Sequence, residues 1–133
     1  MSAIDKRETR RFGTAAESGY GFAQAVRVGK TIYISGQTAS VADGATGPPG
    51  DMKTQIRTAY RRIGDLLAMY GATMANVVDE TLFVTDMEAA IPAAIEIRRE
   101  VYGGVFDVAS TLIGVHRLGG ADLVVEIKCT ARL

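Results

Sequence analysis

The spacing of apolar residues switches repeatedly between two periods along this chain, and the order of the switches limits the folds open to it. Residues 23–28 alternate partly between apolar and polar side chains, and residues 31–35 are rich in β-branched and aromatic ones. Gly29-Lys30 between them suits a tight hairpin turn. From residue 52 the period becomes helical. Met52, Ile56, Ala59, Tyr60, Ile63, Leu66, Leu67 and Tyr70 fall on one face, with Lys53, Arg57, Arg61 and Asp65 opposite. Gly71 is placed to end this helix. A strand is predicted over 76–84. Thr85 with Glu88 three residues later reads as a capping box. It opens a second helix with apolar Ile91, Ala94, Ile95, Val101 and Tyr102. Pro92 moves the expected start of regular helix toward itself. Gly103-Gly104 closes it, and two further strands are predicted over 109–117 and 122–131 around a turn at Gly119-Gly120-Ala121.

The resulting order, ββαβαββ, implies an α+β fold: a mixed sheet with both helices on one face. Both the first dozen residues, read as a loose arm or short edge strand, and the loop marked by Gly44, Gly47, Pro48-Pro49 and Gly50 lie outside that order. No linker divides the chain, so residues 1–133 form a single domain. The other sheet face is then uncovered. Val26, Ile32, Ile34, Leu112 and Val125 supply its candidate apolar residues, which would need a partner and so favour a homo-oligomer.

Composition removes several functions. The 15 basic and 15 acidic residues cancel, whereas a duplex nucleic-acid binder usually carries a basic excess. One cysteine, Cys129, and one histidine, His116, leave no internal disulfide and no cysteine- or histidine-rich metal site. Nothing resembles a signal peptide or a membrane span, and the expected location is the cytoplasm. No Walker loop, nucleophile elbow or metal-ligand pair occurs. Residue patterns alone stop at an α+β domain.

Particular segments carry more. The run from Gly21 to Val26 and the run Val28-Gly29-Lys30-Thr31-Ile32-Tyr33-Ile34-Ser35-Gly36-Gln37 resemble the RidA family, the reactive intermediate deaminases also called endoribonuclease L-PSP. Gln55, Val77-Val78, Phe83-Val84-Thr85-Asp86, Arg117-Leu118 and Val125-Glu126-Ile127 extend the likeness over roughly residues 20–131. The resemblance implies a chorismate-mutase-like fold and a homotrimer with a central barrel. Small-metabolite sites would lie in the clefts between subunits, without metal or organic cofactor. It also implies hydrolysis of reactive imines and enamines, releasing ammonia.

Matched residue by residue, the family's water-handling glutamate corresponds to Glu126, and its pocket serine and glycine to Ser35 and Gly36. Phe22 stands where a tyrosine is usual. The substrate-binding arginine is replaced by Ser110, followed by Thr111. A cysteine and an asparagine of the family correspond to Leu112 and Ala94. Loss of the arginine is costly, because breaking a buried charged pair forfeits about 3–5 kcal/mol, while a neutral serine hydrogen bond returns about 0.5–1.5 kcal/mol.

Structural alternatives accompany each of these residues. Glu126 also fits an exposed position on an alternating strand, Ser35-Gly36 a strand end, Phe22 ordinary packing, and Ser110-Thr111 strand hydroxyls. Cys129 faces away from Glu126 by alternation and fits a small buried hydrophobe. Arg98-Arg99 fits a solvated helix face, and His116 a surface position. If the last two strands form an antiparallel hairpin with a three-residue turn, Ser110 and Glu126 share a face. A two- or four-residue turn would separate them. The expected function is a divergent RidA-like hydrolase of an imine, enamine or related carbonyl metabolite. Its alternatives are a non-catalytic metabolite-binding module and, less supported by the balanced charge, a ribonuclease.

Overall fold

The structure, a computed structural model, describes residues 6–40 and 50–133. Most of the loop expected around Pro48-Pro49 lies outside the described residues. Strand β1 (Glu8–Arg10) leads into a short helix α1 (Ala15–Tyr20), then the hairpin of β2 (Ala25–Val28) and β3 (Thr31–Gln37). Helix α2 (Met52–Ala68), β4 (Val77–Val84), α3 (Met87–Tyr102), β5 (Ala109–Gly114) and β6 (Val125–Arg132) follow. The strands form one mixed sheet in the order β1-β2-β3-β6-β4-β5. The α+β architecture is as the sequence implies, with β1 as an edge strand and α1 as an unforeseen addition.

Helix α2 begins where Asp51 accepts from the Thr54 N–H at 3.0 Å. It buries Ile56, Ala59, Ile63, Leu66 and Leu67 against the sheet. Helix α3 begins earlier than Pro92 suggests. Asp86, not Thr85, caps it by accepting from Ala89 N–H at 3.2 Å, so Pro92 sits inside the helix. Its ring faces solvent, where the one missing backbone bond is tolerated. The buried face of α3 is Ala90, Ala93, Ala94 and Ile97, whereas Ile91 and Ile95 are exposed. Gly103 ends it in the left-handed conformation at φ 64°.

Two expectations are corrected. The last two strands do not form a hairpin. β5 pairs in parallel with β4, and β6 inserts between β3 and β4, antiparallel to both. Apolar alternation makes a segment a strand without naming its neighbour, and a glycine-rich turn fits a longer crossing as well as a hairpin. Nor is the uncovered sheet face the apolar one. Ile32, Ile34 and Val125 are buried on the helix side, and Leu112 lies beside Leu82 on that same side. Of the five residues named, Val26 alone faces away, opposite Tyr33. That face mixes Tyr33 and Phe83 with Glu126, Lys128 and Thr130. Among the described residues no helix is long and apolar enough to cross a membrane.

Candidate functional site

Between Ile34 and Gln37 the β3–β6 register shifts, leaving Ser35 and Gly36 opposite a single β6 residue. Such a bulge bends a strand and re-aims its neighbours. Here it lets the Glu126 side chain lie flat over Gly36. A Cβ at position 36 would stand 2.7 Å from Glu126 Cδ and 3.0 Å from Oε2. Glycine is therefore required by contact, since its φ lies outside the left-handed region. Ser35 supports the bulge: its hydroxyl donates to the Ala23 carbonyl at 2.7 Å, and its N–H to Gln24 O at 2.8 Å.

Glu126 borders an open cleft of about 590 Å³ with Tyr20, Phe22, Thr38, Ser40 and Leu123 among its walls. The wall from α1 is held by one buried carboxylate. Glu17, 3% exposed, accepts from the N–H groups of Phe12, Gly13 and Thr14 at 2.7, 2.9 and 3.1 Å. Behind it the Gln37 amide donates to Gln24 at 2.8 Å, and Arg62 Nε donates to Gln37 at 3.2 Å. Burial alone would push the Glu17 carboxyl up. The N–H of Phe12, the Gln24 side chain and the other backbone donors outweigh it and hold the pKa below its ordinary value.

A pH dependence follows. A depressed carboxylate contributes stability above its unfolded pKa, about 4.3, and loses it as pH falls through the lower folded value. Urea midpoints of the parent and Glu17→Gln should differ most near neutrality and converge in acid. Parallel profiles would mean that Glu17 does not hold α1 through its charge.

A second cluster lies under the sheet's other end. Glu80 is fully buried. Its Oε1 accepts from Tyr60 and Tyr102 hydroxyls at 2.8 and 2.6 Å, and its Oε2 from Arg98 Nε at 2.6 Å and Ser110 Oγ at 2.5 Å. Burial and the Glu80 charge raise the pKa of both phenols, which stay protonated as donors. Burial disfavours the charged form of Arg98, but Glu80 outweighs it and the guanidinium pKa is raised. Arg98 is thus no solvated residue, its side chain being 20% exposed. Nearby, burial, then Glu80 and Asp79, push the Cys129 thiol up to about 12.

Sequence reading missed Glu80. A second register shift between Val77 and Asp79 inverts the strand's alternation and turns Glu80 inward with Leu82 and Val84. Two tyrosines on helix faces directed at the core were the available signal, since a buried hydroxyl needs an acceptor.

Among the sequence-predicted site residues, Phe22, Gly36 and Glu126 come together, with Ser35 bracing the bulge. Ser110 does not join them. It shares the helix side of the sheet with Glu80, while Glu126 stands on the opposite side and β4 intervenes. Alternation turns Thr111 away from Ser110. Among the described residues no three metal-ligating side chains cluster.

Residues 13–133 match the family described as Endoribonuclease L-PSP. The chain belongs to this family. Among L-PSP relatives, the RutC family protein YjgH of Escherichia coli is 32% identical over 112 residues, 84% of this chain and 82% of that protein. The 2-iminobutanoate/2-iminopropanoate deaminase of Mus musculus is 35% identical over 66 residues, which is 50% of this chain and 49% of the mouse protein. The crystal structure of Rv2704 from Mycobacterium tuberculosis, a YjgF/YER057c/UK114 family member, superposes with a TM-score of 0.83. It is 30% identical and the match covers 96% of this chain and 100% of that one. Membership agrees with the resemblance drawn from the Ser35-Gly36-Gln37 segment.

Proposed function

We propose that this chain hydrolyses a small imine or enamine at clefts completed between copies in a homotrimer. The observation that carries the reading is the Glu126 carboxylate, laid over Gly36 and bordering the 590 Å³ cleft. The deaminase name carried by several relatives points the same way. Edge strand β5 exposes Ala109, Ser110 and Thr111, so a neighbouring copy has a surface with which to bring the Ser110 end of one chain to the Glu126 cleft of another.

The reaction needs little apparatus. Glu126 takes a proton from water as the water oxygen bonds to the C=N carbon, and the nitrogen gains a proton. The carbinolamine then collapses: the C–N bond breaks, ammonia leaves, and the carbonyl forms as the hydroxyl proton is lost. An enamine reaches the same route by first taking a proton at carbon. Phe22 and Leu123 supply apolar walls, while Thr38 and Ser40 supply hydroxyls. The balanced charge, 15 basic against 15 acidic residues, gives the ribonuclease reading little support.

The test is ammonia release from a panel of imines generated in situ by an amino-acid oxidase, paired with light scattering. A mass about three times 14.1 kDa and measurable turnover are expected. A monomer would overturn the shared clefts. Metabolite binding without turnover on any substrate would favour the non-catalytic module.

A further inference from the structure

The segment that enters β6 is gripped by one side chain of α2. Gln55 is 2% exposed. Its Nε2 donates to the Asp122 carbonyl at 2.7 Å, and its Oε1 accepts from the Val124 N–H at 2.9 Å. A primary amide can meet a backbone carbonyl and a backbone N–H together, as a peptide group of a neighbouring strand does. Here it takes that place just beyond the end of β4. One step past the Val84–Val125 pair, Thr85 N–H donates to the Val124 carbonyl at 3.1 Å, and Gln55 receives the Val124 N–H. The Asp122 carbonyl also accepts from Gly50 N–H at 3.1 Å, next to the Asp51 cap of α2.

Between the two gripped residues stands Leu123. Its own N–H closes a turn onto the Gly120 carbonyl at 3.1 Å, and its side chain is a wall of the Glu126 cleft.

We infer that Gln55 is a positioning residue that sets specificity. By holding the peptide groups on either side of Leu123, it fixes the apolar wall against which the alkyl part of a substrate rests. The inference rests on the hydrolase reading for its reaction, whereas the grip on Leu123 stands without it. An apolar wall that keeps its place distinguishes ligands differing by one methylene by about 10–200-fold. A wall that swings loses that preference. Glu126 has a seat of its own over Gly36 at the β3 bulge, so releasing the grip should change the choice of substrate more than the chemistry.

The experiment compares kcat/KM for imines generated from norvaline and from alanine, a ratio that cancels any difference in folded fraction. The parent should prefer the longer imine. Gln55→Asn is one methylene too short to span both peptide groups, and Gln55→Met keeps the length without the hydrogen bonds. Each should lower the preference about tenfold. Leu123→Ala should lower it as far, and adding Gln55→Asn to Leu123→Ala should lower it no further. An unchanged preference in the Gln55 variants, or losses that add, would overturn the role. The parent offers a second measurement that needs no variant. Its Val124 amide should exchange hydrogen as slowly as the buried amides of α2, and exchange at the rate of an exposed loop would overturn the grip. If no imine is turned over, the hydrolase reading falls, and the wall is read from the Leu123 methyl signals on titration with 2-pentanone. An affinity about tenfold lower in Gln55→Asn keeps the role of Gln55. Equal affinities, or no methyl shift in the parent, would overturn it.

Discussion

Replacing Glu126 with glutamine is expected to lower turnover of the best imine by about 10²–10⁴-fold, the usual contribution of a positioned general base. The amide keeps the carboxylate's shape, so the bulge and the packing over Gly36 survive and scattering mass should be unchanged. The loss should fall on kcat more than on KM, because the proton is moved in the transition state. Gly36→Ala offers a companion that leaves Glu126 in the sequence. Its Cβ would stand 2.7 and 2.8 Å from Glu126 Cδ and Cγ, so the carboxylate must move aside. A displacement of about 1 Å can cost about 10²-fold. A Glu126→Gln protein as active as its parent would remove Glu126 from the reaction. An unaffected Gly36→Ala protein would show that the seating over Gly36 is irrelevant.

Glu80→Ala should destabilise the fold by about 3–5 kcal/mol. It leaves a mostly buried guanidinium without its partner and deprives two phenols and a serine hydroxyl of their acceptor. Against a typical domain stability of about 5–15 kcal/mol, that is a large share. Tyr60→Phe and Tyr102→Phe each remove one hydrogen bond to a charged group, worth about 1.5–3 kcal/mol. Combined with Glu80→Ala, either change should cost little more, because its acceptor has already gone. Urea denaturation of the set measures this. Additive losses would mean that Glu80 and the two tyrosines do not act as one network.

How much of this was readable in advance differs by level. The faces of α2 could be read because eight apolar residues repeat at one angle, and helix ends because Gly71 and Gly103 mark them. The hairpin at Gly29-Lys30 was legible for the same local reason. Strand partners were not. Nothing in residues 109–131 distinguishes a hairpin from two strands parted by β4, since pairing is settled by distant surfaces. Bulges hid the rest. One displaced residue near Val78 reverses the inward parity and buries Glu80, and the bulge after Ile34 moves Ser35 and Gly36 out of register. Helix α1 escaped notice because it has six residues and no apolar stripe. It is held by Glu17 rather than by its own periodicity. Glu126, by contrast, was found through the family resemblance of its strand, since alternation alone fits an exposed position equally well.

The position of β6 governs how this chain must fold as it is synthesised. β6 is made after every other described strand, yet it joins β3 to β4 at the middle of the sheet. Until residues 125–132 have left the ribosome, β1–β3 and β4–β5 are two separate ribbons. Each has an open edge that the missing strand will later cover, and unpaired edges invite pairing with other chains. Closing the sheet also brings together residues as far apart as Thr31 and Arg132, and such long-range contacts slow folding. Until β6 docks, the nascent protein is exposed to misassembly at these edges, and a chaperone that shields the β3 and β4 edges during that interval should raise the yield of folded protein.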